Sequence, residues 1–175
     1  DHMFDEGTER EVIRTTLDIY EQVCGKKAKG WLSSSLRSTL NTIDILAEEE
    51  LFFITDLLND DQPYMVHTRS GKPMGAVSYT SEVNDFSFLR QGVGAESGLE
   101  MFKVQVDWLY EESATSGRFM NIGLHPHVIG QPYRVRAIRD FIRYAKTFDD
   151  VWFATREEIA EWYLENRGDH IPTSS

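Results

Sequence analysis

The sequence is short of most features that announce a special class of protein. One cysteine in 175 residues, Cys24, leaves no internal disulfide and no Cys-based zinc site. Five prolines and 12 glycines are too few for a collagenous or low-complexity chain. Nothing approaches the roughly 18 consecutive apolar residues of a membrane span. Positive charge is also scarce, with 18 Lys and Arg against 29 Asp and Glu for a net charge of −11. Such a surface repels phosphate backbones and anionic headgroups, so no nucleic acid and no membrane is expected among the partners. The common catalytic signatures are missing too: no Gly-x-Ser-x-Gly elbow, Walker loop, Cys-x-x-Cys or His-Glu-x-x-His. The chain opens Asp1-His2-Met3, without an initiator methionine or a signal peptide. A cytoplasmic protein acting on a small molecule is the expectation.

What is present is a globular composition, 41% hydrophobic and 12% aromatic, at a length that fits one domain. Helix and strand signals alternate. Thr8 with Glu11 predicts a capping box, followed by Val12, Ile13, Leu17, Tyr20 and Val23 at helical spacing until Gly25. A short strand is predicted at 30–33, a helix at 41–50 and a buried strand at 51–58. Residues 59–63 must be a loop, and 64–68 with 76–79 read as paired strands around Arg69-Ser70-Gly71-Lys72-Pro73. A long amphipathic helix carries Leu99, Phe102, Val106 and Leu109. Strands at 119–124 and 151–153 enclose a helix with Val135, Ile138, Phe141 and Ile142. Thr155 and Glu158 cap a last helix, and the pairs Trp152-Phe153 and Trp162-Tyr163 read as core. This order predicts an α/β fold with parallel strands. Five or six strands fall short of a closed barrel of about eight.

His125 is the most suggestive residue, because a histidine at the carboxyl end of a β/α strand stands where such folds place their chemistry. It can act as general acid or base, or simply end the strand. His127 lies two residues on, and the pair has a possible zinc-ligand spacing that Pro126 interrupts. Asp60, Asp61 and Gln62 form a polar loop after the 51–58 strand, able to anchor substrate or to serve as turn chemistry. Glu82, Asn84 and Asp85 read the same way. Trp31 can wall a pocket, and Ser33 can offer a hydroxyl.

Five segments together resemble the polysaccharide deacetylase (NodB-type) superfamily, in particular its allantoinase-like branch. They are Gly30-Trp31-Leu32-Ser33, Asn41-Thr42 with Leu46-Ala47-Glu48, Asn59-Asp60-Asp61-Gln62-Pro63-Tyr64, Leu124-His125-Pro126 with Ile129-Gly130-Gln131-Pro132, and Val151-Trp152-Phe153-Ala154-Thr155 with Ile159-Ala160-Glu161-Trp162-Tyr163. The resemblance implies an irregular β/α barrel of the deacetylase type, incomplete in this chain, that hydrolyses carbon–nitrogen bonds other than peptides. It implies His125 as the catalytic acid, with Trp31, Ser33, Asp60, Asp61, Gln62, Asn84 and His127 lining the substrate site. A small cyclic amide such as allantoin is the implied substrate; an N-acetylated polysaccharide is the alternative, as is a non-catalytic half-barrel. In metal-dependent members an early aspartate works beside a divalent, zinc-type ion, for which His2 is the candidate ligand here. Residues 1–167 then read as the C-terminal portion of a larger barrel and 168–175 as a flexible tail. The chain alone is expected to be inactive, and to need either a second copy of itself or a complementing N-terminal segment.

Overall fold

The computed structural model describes residues 5–86 and 92–167. His2, His170 and the expected tail at 168–175 lie outside the described residues. The described residues form two compact units, one built from 5–78 with 154–167 and the other from 79–86 with 92–153.

The first unit begins with helix α1, Glu6–Cys24. Its cap lies three residues earlier than the sequence predicts. Asp5 accepts from the Thr8 backbone N–H at 3.0 Å and from the Thr8 hydroxyl at 2.9 Å. Thr8 is therefore the capped residue and not the cap, because a carboxylate at the N-cap satisfies the same free N–H and meets the helix dipole. Gly25 ends the helix at φ 69°, as expected of a left-handed cap. Strand β1 is Gly30–Trp31, a 3-10 turn covers Ser34–Leu36, and helix α2 is Thr42–Glu48. Strands β2 (Phe53–Ile54), β3 (Tyr64–Val66) and β4 (Met74–Ala76) follow, and helix α6 (Arg156–Asn166) returns against β4.

The sheet order is β1-β2-β4-β3. Strands β1, β2 and β4 are parallel, with Gly30 beside Phe53, Trp31 beside Ile54, and Ile54 beside Ala76. The expected hairpin is there, with β3 antiparallel to β4 and Tyr64 opposite Ala76. Gly30 is required by close approach, since a Cβ there would lie 2.1 Å from the Phe53 ring. Ile13 of α1, Ile45, Leu46 and Ala47 of α2, Leu51, Ile54 and Met74 form the core. The α/β class read from the sequence stands, although each strand is only two or three residues long.

In the second unit, helices α3 (Ala95–Ser113) and α5 (Pro132–Ala145) pack together, and the short α4 (Pro126–Ile129) precedes α5. Phe102 is fully buried and meets Phe141 edge-on at 5.7 Å between centroids, with Val83, Val106, Ile129 and Ala145 around them. Each such side chain contributes about 1.5–3 kcal/mol. Two predicted strands do not form. Among the described residues, of 119–124 only Gly123 pairs, in one parallel bridge to Asn84, and 151–153 has no ladder. Apolar residues permit a strand, but only a neighbouring backbone completes one. The expected core residues Trp152, Phe153 and Trp162 are 57%, 52% and 55% exposed, whereas Tyr163 is buried.

Candidate active site

The second unit holds the more chemical of two side-chain groups. The bridge between Asn84 and Gly123 brings residues 83–85 alongside 123–125: Gly123 N–H donates to Val83 O, and Asp85 N–H to Gly123 O, both at 2.9 Å. Two residues past Gly123, His125 then falls opposite Asp85. The Asp85 carboxylate is completely buried and accepts twice from His125. Oδ2 takes the backbone N–H at 2.6 Å, and Oδ1 faces the ring Nδ1 at 2.7 Å. An ionised carboxylate has no proton to give, so Nδ1 carries the hydrogen and Nε2 is left as the ring's working nitrogen. The imidazole is 30% exposed, so it faces solvent on part of its surface. Phe86 packs edge-on against it at 4.2 Å between centroids.

The arrangement depends on Gly123. A Cβ there would come within 2.2 Å of Asn84 Nδ2 and 2.5 Å of the Tyr79 hydroxyl. Asn84, expected in the substrate site, is buried and builds the turn. Its amide donates to Tyr79 Oη at 3.1 Å and Thr80 O at 3.3 Å, and its oxygen accepts from Phe86 N–H at 3.0 Å. His127 is exposed at the start of α4, its ring 5.9 Å from that of His125, with His125 Nδ1 already held by Asp85.

The first unit gathers a second group at the carboxyl ends of β1 and β2. Asp56 is buried and accepts from the Ser33 backbone N–H at 2.7 Å and from the Ser33 hydroxyl. The Trp31 indole N–H donates to Ser33 Oγ at 3.0 Å, so Trp31, Ser33 and Asp56 form one chain of hydrogen bonds. The following residues Ser35 and Leu36 are both left-handed, at φ 56° and 58°, which side chains other than glycine seldom adopt. Asp60 is exposed and accepts from Gln62 N–H at 2.9 Å, which is turn chemistry, and Asp61 and Gln62 are half-buried beside it. Tyr64 donates to Asn59 Oδ1 at 2.7 Å, and burial holds its phenol above the ordinary value of 10.0.

Sequence reasoning passed over both buried carboxylates. Asp85 reads from the sequence as a substrate anchor or turn chemistry, and Asp56 is not singled out within the strand predicted at 51–58. For Asp56 a charged residue inside a stretch otherwise fit for the core was the available signal, because an unpaired buried charge is too costly to keep; Asp85 lies in a polar stretch and carried no such signal. Among the described residues, no group of three His, Cys, Asp or Glu side chains is placed to hold a metal ion. Nor, among them, is any helix long and apolar enough to cross a membrane.

A histidine held in this way can give or take a proton at Nε2. Comparison with known proteins finds these likenesses. A Schizosaccharomyces pombe protein named as a polysaccharide deacetylase is 29% identical over 173 residues, covering 88% of this chain and 53% of that protein. The crystal structure of PuuE allantoinase superposes with a TM-score of 0.87 at 33% identity, over 94% of this chain and 55% of the other. A Pseudomonas aeruginosa PAO1 structure, by name a polysaccharide deacetylase, gives 0.85 at 36% identity, over 94% and 56%. No family model matches the sequence. The chain thus resembles polysaccharide deacetylases and an allantoinase in sequence and fold, and spans about half the length of each.

Proposed function

We propose that this chain forms part of a hydrolase of non-peptide carbon–nitrogen bonds, with His125 as its general acid. The observation that carries this reading is the completely buried Asp85 holding both the backbone and Nδ1 of His125. That grip fixes the ring's orientation and tautomer, the role a carboxylate plays behind a catalytic histidine.

The reaction begins as water adds its oxygen to the amide carbon. A carboxylate in the part of the fold that this chain does not span removes the water's proton. The carbon–nitrogen bond then breaks. Amide nitrogen leaves poorly as an anion, so His125 donates a proton from Nε2 as the bond opens and recovers one afterwards. Asp85 keeps its charge throughout and faces the ring while it is cationic. Trp31 and Ser33, ordered by Asp56, and the loop Asp60-Asp61-Gln62 are assigned to substrate binding, as is His127, whose ring lies 5.9 Å from that of the acid. A divalent ion in the whole protein would supply Lewis-acid help to the water.

The substrate favoured is a small cyclic amide such as allantoin, supported by the likeness to PuuE allantoinase at TM-score 0.87. The second reading, removal of acetyl groups from an N-acetylated sugar polymer, is supported by the names of the Pseudomonas and Schizosaccharomyces relatives. The test is hydrolysis of allantoin beside acetate release from an N-acetylated oligosaccharide, with wild type and His125→Ala in the full-length protein. The variant should lose about 10²–10⁴-fold on the substrate that is used. Near-normal turnover by the variant removes His125 from the mechanism.

A further inference from the structure

Ser33 has no hydrogen left to give a substrate. Its backbone N–H and its hydroxyl both donate to Asp56, while its carbonyl accepts from Leu36 N–H at 3.0 Å and its Oγ from the Trp31 indole. A serine hydroxyl carries one hydrogen, and here a buried carboxylate holds it. Trp31 is fixed at its backbone as well. Its carbonyl accepts from the Thr55 backbone N–H at 3.0 Å and from the Thr55 hydroxyl at 3.2 Å. Thr55 and Asp56, the two residues after β2, thus hold Trp31 and Ser33 at the end of β1.

The backbone contacts follow from two neighbouring strands ending together, but the indole contact does not. Trp31 is half-buried, packing in part on the core of its unit, and water would satisfy the N–H of such a ring. Here a side chain that is itself oriented by a buried carboxylate takes that N–H, which leaves the ring one orientation. The loop lies at the carboxyl ends of parallel strands, where open α/β sheets bind their ligands. Ser35 and Leu36, both left-handed, mark the same loop with backbone strain. We propose that Asp56 is a positioning residue of the substrate site. Through Ser33 it sets the Trp31 indole, and the ring of the substrate lies against that indole without a hydrogen bond from Ser33. The proposal rests on the hydrolase reading above and makes the part of Ser33 in binding an indirect one.

Steady-state kinetics of the full-length protein, with Ser33→Ala, Trp31→Phe and the double variant, tests this on the substrate that is used. Ser33→Ala should raise KM about 2–10-fold, as loss of one neutral hydrogen bond does, and leave kcat alone because the contact serves binding. In the Trp31→Phe background the same change should add nothing, since no indole N–H remains to be held. Ser33→Thr keeps the hydroxyl and should restore KM. The Trp31 indole proton resonance, identified by its absence in Trp31→Phe, should move in Ser33→Ala and return in Ser33→Thr. A Ser33→Ala cost equal in both backgrounds makes Ser33 a direct donor and overturns the proposal, as does an unchanged KM or an unmoved indole resonance. If Ser33→Ala does not fold, Trp31→Phe, which leaves Ser33 on Asp56, must raise KM by itself, and an unchanged KM overturns the proposal. A protein that hydrolyses neither allantoin nor an N-acetylated oligosaccharide overturns the hydrolase reading and this assignment with it. Turnover with additive costs overturns this assignment alone.

Discussion

Replacing Asp85 with Asn probes the candidate site with the loss of a single charge. The wild-type carboxylate accepts from two donors of His125, its backbone N–H and its Nδ1–H. An amide of the same shape has one acceptor and one donor, so it can keep only one of these contacts. If the carbonyl keeps the backbone N–H, the amide NH2 faces Nδ1, which must then accept, and the ring hydrogen moves to Nε2. Hydrogen bonds to charged groups are worth about 1.5–3 kcal/mol, and that is the expected loss of stability in a denaturant titration. Asp85→Ala removes both acceptors and should cost more. The sharper readout is the ring itself. Nitrogen shifts of the imidazole should report hydrogen on Nδ1 in wild type and on Nε2 in Asp85→Asn, while the proposed hydrolysis by the full-length protein falls. A wild-type ring carrying its hydrogen on Nε2, or a variant within about 0.5 kcal/mol of wild type, would refute this account of the pair.

Other substitutions test what sets the pair in place. Gly123→Ala should destabilise by about 1–3 kcal/mol and broaden the His125 ring signals, since its Cβ collides with Asn84 and Tyr79; an unperturbed His125 would show that the bridge does not set the register. Ser33→Ala removes the only acceptor described for the Trp31 indole and should shift the tryptophan emission of the chain; an unchanged spectrum would count against the Trp31–Ser33–Asp56 chain. Glu158 is held below its ordinary value of 4.5, first by the Thr155 backbone N–H and then by its hydroxyl. A lowered carboxylate adds stability that is present above 4.5 and lost as pH falls further, so α6 should loosen with acid below that point. Thr155→Ala should blunt this dependence, and an equal acid response in both proteins would refute it.

The parts of the fold legible in the sequence were those decided locally. Gly25 ends α1 because only a left-handed residue suits that place, and Thr155 with Glu158 caps α6 by a contact three residues long. The hairpin of β3 and β4 followed from the Gly71-Lys72-Pro73 turn between two apolar runs. The cap of α1 was a local miss, with Asp5 standing where Thr8 was expected; for the strands the deciding partner lay far away in the chain. Residues 119–124 and 151–153 have the composition of strands, yet among the described residues only Gly123 pairs with a neighbouring backbone. Trp152 and Phe153 were assigned to the core by their type, and nothing in the described residues covers them fully. Their place in the sequence could not reveal that.

The same physics explains why the chemistry was only half visible. His125 was legible from its residue type and its position after an apolar run, but its partner was not, because Asp85 lies 40 positions earlier. Asp56 stands 23 positions after the Ser33 that it holds. The two carboxylates nevertheless do one job. Each is buried near a strand or bridge end, and each accepts both the backbone N–H and the side chain of a single residue on a neighbouring segment. Gripping a residue by both groups fixes where its backbone runs and which way its side chain turns, which a contact to the side chain alone would not do. Such a grip answers the cost of burying a charge, since each carboxylate gains two donors in place of water. A buried aspartate is thus a pointer to whichever residue it holds: Asp56, which interrupts an apolar run, points to Ser33 beside Trp31, and Asp85, set in a polar stretch, points to His125 only through its burial.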